Sequence, residues 1–150
     1  MSDQNKIDMK HVCETFAAMG CGAAAVHNAI ILAGGSSSLA EVVEFMQAHD
    51  LTLGFAGVYF TNIQIYLKRK GYSNKIYLTQ LKNNIDKKIK NCGSKIAILA
   101  YKHSRGGHYV AIKYNKSEKN FYVYNFDRKE SSIDTWINNK SYFPLCLITI

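Results

Sequence analysis

The chain has 150 residues, 47% of them hydrophobic and 20% charged, with ten glycines and one proline. That length buries roughly 68–70% of the surface an unfolded chain exposes, so a single domain spanning 1–150 is expected and disordered or collagen-like classes are excluded. The net charge of +8 is uneven: residues 68–95 hold nine lysines and arginines against one acid, Asp86. The plain reading of that stretch is the solvated face of surface helices. The sharper one is an acidic partner meeting the basic face 68–95, with nucleic acid ranked lowest because no helix-turn-helix, RNA-recognition or zinc-finger pattern accompanies the charge.

The N-terminal MSDQNKIDMK has no apolar h-region, which predicts no secretory signal and a cytoplasmic location, with export by a route needing no signal peptide left open. Residues 7–19 place Val12, Phe16 and Met19 at helical spacing. The run GCGAAAVHNAIILAGG at 20–35 is too short and glycine-rich for a membrane span. Its small, apolar Ala23–Ala33 predicts a buried helix packed closely on a sheet and stopped by Gly34 and Gly35. Ser38 and Glu41 form a capping box opening a helix through about His49. A further helix over Val58–Lys70 ends at Gly71.

From Lys75 the pattern changes. Lys75–Leu78 reads as a short strand, and Thr79 as the cap of a basic helix ending near Cys92. Period-two alternation then predicts strands over Lys95–Tyr101, His108–Tyr114, Phe121–Phe126 and Pro144–Ile150, with NKSEKN joining the second and third as a hairpin and a short helix over Ile133–Asn138. Helices first and an antiparallel sheet afterwards is an α+β arrangement: a helical N-terminal half packed on a C-terminal sheet.

The chemistry centres on cysteine. The four cysteines, at 13, 21, 92 and 146, show no CxxC, and without an export signal a disulfide framework is not expected. His11, Cys13, Cys21 and His27 match no structural-zinc spacing, so no metal and no cofactor is called for. Cys21 reads as the residue where a loop becomes a helix, a setting that favours thiolate. Gly20 and Gly22 beside it, and Gly107 across the groove, leave room for a substrate backbone. The competing reading is a small core residue. A nucleophilic cysteine needs an imidazole and a group to orient it. His108 opens a strand after the loop KHSRGG, where His103 is a rival on a less rigid element. A turn centred between Lys116 and Ser117 sets Asn125 opposite His108, with Asp127 on the same face if the strand continues. Each also has a structural reading, His108 as a strand residue and Asn125 as a strand end bonding its own backbone.

The runs MGCGAAAVHNAIILAGG, GGHYVAIKYN and FYVYNFDRK together resemble the bacteriocin-processing, double-glycine leader peptidases, a papain-like family. The resemblance spans nearly the whole chain, in order. It implies a papain-like fold, Cys21 as nucleophile, His108 as general base and acid, and Asn125 as the orienting residue, with Asp127 as the alternative. Two departures stand out. The family's oxyanion glutamine, six residues before the cysteine, is Thr15 here, which leaves the Cys21 backbone N–H as the expected oxyanion donor with Thr15 as a partial substitute, and no membrane segment of a fused transporter is present. The expected activity is hydrolysis of a peptide or protein substrate through a Cys21 thioester. The alternatives are a glutamine deamidase or amide- or acyl-transfer effector on the same triad, and a leader-binding module that no longer turns its ligand over.

Overall fold

A computed structural model describes residues 17–49 and 60–150. In chain order the elements are α1 (Ala17–Leu32), α2 (Leu39–His49), α3 (Phe60–Arg69), β1 (Lys75–Tyr77), α4 (Ile85–Asn91), β2 (Ile96–His103), β3 (Gly106–Asn115), β4 (Asn120–Tyr124), β5 (Arg128–Glu130), α5 (Ile133–Asn139) and β6 (Phe143–Thr149). The strands form one antiparallel sheet in the order β1-β6-β2-β3-β4-β5. This is the expected α+β arrangement. None of the described helices is long and apolar enough to cross a membrane. Most of the first expected helix, with His11, Cys13 and Thr15, lies outside the described residues.

Strand alternation splits the core in two. Ile96, Ile98, Ala100, Tyr109, Ala111, Cys146 and Ile148 face α1, α2 and α3. Ala97, Leu99, Tyr101, Val110, Ile112, Phe121, Val123 and Leu147 face α4 and α5. Helix α1 survives two glycines, each costing about 1 kcal/mol against alanine, because burial outweighs them. Ala23, Ala25, Val26, Ala29 and Ile30 are at most 1% exposed, and Val26 and Ile30 alone contribute roughly 3–6 kcal/mol of transfer free energy. The helix stops as expected: Gly34 takes a φ of +83°, and the Gly35 N–H donates to the Ile30 carbonyl at 3.0 Å. Gly71 ends α3 in the same way, with a φ of +87°.

Three local expectations are corrected. Cys21 does not sit at a loop-to-helix junction; it is the fifth residue of α1, since Ala17, Ala18 and Met19 are good helix formers and the buried face carries the helix through Gly20 and Gly22. The basic helix is shorter than expected and is not capped by Thr79. Left-handed residues at Gln80 and Asn83 delay it, and its N-cap is Asn84. The β3–β4 hairpin turns one residue later than expected. Asn115 pairs with Asn120, because the Asn115 Oδ1 accepts from the Ser117 N–H at 3.1 Å, the Ser117 hydroxyl at 2.7 Å and the Glu118 N–H at 3.3 Å. That asparagine cage builds a four-residue loop and moves the register by two, so Asn125 is not the cross-strand partner of His108.

Candidate active site

Strand β4 ends at Tyr124 rather than running to Phe126. Asn125 and Asp127 take φ values of +87° and +48°, and the chain turns back into β5, a strand that lies beyond the expected Phe121–Phe126 and that period-two reading did not find. Asparagine and aspartate are the residues best suited to left-handed backbone after glycine. Asp127 is thus exposed in a turn, where its charge helps to raise the Tyr124 hydroxyl pKa behind the larger effects of burial and Tyr122.

Hairpin β2–β3 closes in a two-residue turn, pairing His103 with Gly106 and Tyr101 with His108. His103 is therefore the last residue of a strand, not part of a loose loop, and its Nδ1 accepts from the Arg105 N–H at 3.1 Å. Tyr101 and His108 project to the layer of α4 and α5. Their rings are 5.8 Å apart. Tyr101 stacks on Tyr142 at 4.7 Å, Trp136 stands edge-on to Tyr101 at 5.6 Å, and Phe126, itself 46% exposed, lies 5.0 Å from the His108 ring. Burial is the main force holding the His108 pKa below the ordinary histidine value, and the positive charge of His103 adds to it. The Nε2 of His108 is buried without a hydrogen-bond partner among the described residues.

Cys21 is half-buried on α1, packed against the core beneath it. Its charge is felt at Tyr101, whose hydroxyl pKa is pushed up first by burial, then by Tyr142 and then by Cys21. The Lys113 Nζ donates to the Leu32 carbonyl at 3.4 Å, which ties the C-terminal end of α1 to β3. Cys21 thus relates to His108 through Tyr101, which its charge reaches and which pairs with His108 across the hairpin, although α1 lies on the layer opposite to the one His108 faces. The other thiols are placed for structure. Cys146 is 1% exposed and burial pushes its pKa up to about 12, while the Cys92 Sγ donates to the Ile89 carbonyl at 3.2 Å.

Asn125 is committed elsewhere. Its Oδ1 accepts from the Asn28 amide at 2.7 Å and its Nδ2 donates to the Tyr109 carbonyl at 3.1 Å. Asn28 is seven residues after Cys21, on the same face of α1 two turns on, and that spacing is the signal by which sequence reasoning could have found it. Tyr101 and Tyr142 carried no such signal, since their place beside His108 depends on strand register. Gly20 and Gly22 are buried within α1, and Gly107 is exposed opposite Lys102. Only the first four N–H groups of a helix lack intrahelical partners, so the Cys21 N–H falls inside the ladder and not in an oxyanion hole. Among the described residues no three His, Cys, Asp or Glu side chains gather to hold a metal ion.

No protein-family model matches the chain, and no curated protein matches it.

The His103–His108 repulsion has a direct consequence. A cation beside an imidazole favours its neutral form, so removing that cation raises the pKa. His103→Asn is expected to move the His108 titration upward towards the ordinary histidine value, read from the imidazole proton resonances between pH 4 and 8. An unmoved His108 titration would show that the two rings do not interact.

Proposed function

We propose that the chain is a papain-like cysteine peptidase of the double-glycine leader-processing type, acting through Cys21 and His108. The observation that carries this reading is the hairpin pairing that sets the His108 ring 5.8 Å from Tyr101, whose hydroxyl pKa is raised by burial, then Tyr142, then Cys21 on α1. In the proposed reaction the Cys21 thiol gives its proton to His108 as sulfur adds to the scissile carbonyl. The C–N bond breaks as His108 returns the proton to the leaving amine, and water activated by His108 hydrolyses the thioester. A His108 pKa held below the usual value keeps the ring neutral, and able to act as base, at neutral pH. The two structural thiols, Cys92 and Cys146, supply internal controls.

A second reading, the leader-binding module without turnover, is favoured by one group of facts. Asn125 is bonded to Asn28 and Tyr109, the His108 Nε2 has no described partner, and the Cys21 N–H lies within the helix. A leader-like peptide ending in a Gly-Gly vinyl sulfone distinguishes the two. The peptidase reading expects a single covalent adduct on Cys21, read by peptide mass spectrometry, and loss of the adduct in His108→Ala. Equal, slow labelling of Cys21 and Cys92 with retained affinity for the peptide would establish the binding module instead.

A further inference from the structure

We propose that the groove between β1 and α4 docks an extended acidic peptide segment. The inference is independent of whether Cys21 turns over a substrate, and it begins from the fate of charge in residues 68–95. Asp86, the one acid there, does not face the lysines. Its Oδ1 accepts from the Ile133 and Asp134 N–H groups at 2.7 and 3.2 Å, so its carboxylate is consumed in capping α5. The lysines on the other side of α4 are left uncompensated.

Asn84, Lys87, Lys88 and Asn91 recur at the spacing of one helical stripe, and that stripe faces Lys75 and Tyr77 of β1 across a cavity of ≈ 630 Å³. No aspartate or glutamate lines it. The Lys88 and Lys75 ammonium groups both settle on the Tyr77 ring, 4.1 and 5.1 Å from its centre, a cation–π arrangement that gathers two like charges within one small space. Three cations and two amides then offer N–H donors from both walls, which is the chemistry of carboxylate capture.

The shape selects among anions. A bilayer presents a flat surface, whereas these donors line a concavity. Single-stranded nucleic acid binds by stacking bases on aromatic faces, and the one ring here is already engaged by ammonium groups. An extended chain fits: α4 is about 10 Å long, the span of three extended residues, and acids two residues apart lie about 7 Å from one another on one side of such a chain.

The test uses the whole protein and a fluorescein-labelled Glu-Gly-Glu-Gly-Glu peptide, followed by fluorescence polarisation at 50 and 200 mM salt. Binding is expected, weaker at the higher salt. It should fall at least tenfold in Lys75→Gln/Lys87→Gln/Lys88→Gln and stay unchanged in Lys116→Gln/Lys119→Gln, with thermal unfolding confirming that both variants fold. If the triple variant does not fold, Lys87→Gln alone, at an exposed position, is expected to weaken binding about threefold. Equal losses in the two sets of variants would overturn the proposal in favour of diffuse charge. So would tighter, Lys87-dependent binding of an oligothymidine or of phosphatidylserine vesicles, or no binding of the peptide at all.

Discussion

His108→Ala is expected to slow alkylation of Cys21 by iodoacetamide about a hundredfold at pH 7, the size of a typical general-base contribution. Cys92 and Cys146 should be unaffected. An isolated thiol with an ordinary pKa near 8.5 is only about 3% ionised at that pH, so without an imidazole to take the proton the reaction is slow. The pH profile carries more information than the rate. Burial and His103 both oppose imidazolium at His108, and Asn125 brings no negative charge to offset them. The resting pair is therefore expected to be neutral thiol and neutral imidazole, not a preformed ion pair. The wild-type rate should rise as His108 loses its proton, at a pH below the ordinary histidine range, hold a plateau, and rise again as the thiol itself ionises. In His108→Ala only the upper rise should remain. A profile identical in the two proteins would remove Cys21 and His108 from any shared chemistry.

The fold was legible in the sequence where one signal acted alone. Apolar alternation located β2, β3 and β6, while the Gly34–Gly35 pair located the end of α1 and the single Gly71 the end of α3. The site was less legible because it depends on quantities that residue types do not carry. The register of β3 and β4 depends on the Asn115 cage, which sets the turn one residue later and moves the pairing by two. The end of β4 depends on Asn125 taking left-handed backbone, and the start of α1 on burial overriding two glycines. Each of these moved a residue of the expected triad. Cys21 went one turn deeper into its helix, Asn125 went to Asn28, and Asp127 went into an exposed turn. Short-range pattern finds elements, while the contacts between elements decide whether their side chains meet.

Asp134→Ala is expected to cost about 3 kcal/mol of stability, from two helix-terminal N–H groups left without their charged acceptor. The Asp134 Oδ1 and Oδ2 accept from the Ile85 and Asp86 N–H groups, both at 3.0 Å, while Asp86 caps α5 in return. Helix α4 has no substitute, since the side chain of its N-cap residue, Asn84, makes no cap bond, whereas α5 retains the Ser132 hydroxyl, which accepts from the Thr135 N–H at 3.1 Å. Asp134→Ala should therefore be the costlier of the two aspartate substitutions. The pH dependence has an unusual sign. Burial, helped by the Asp86 charge, raises the Asp134 pKa against the pull of its two backbone hydrogen bonds. The native state then holds a proton that the unfolded chain has already released, so the contribution of Asp134 is greatest below its unfolded pKa and shrinks as pH rises through the folded one. The gap between wild type and Asp134→Ala, measured by urea unfolding, should accordingly widen between pH 7 and pH 4. A gap that narrows would mean that the hydrogen bonds, not burial, set the ionisation of Asp134. The same substitution reaches the candidate site. Asp134 stands two residues before Trp136, which packs edge-on against Tyr101 beside His108, so loosening this clasp should also shift the His108 titration.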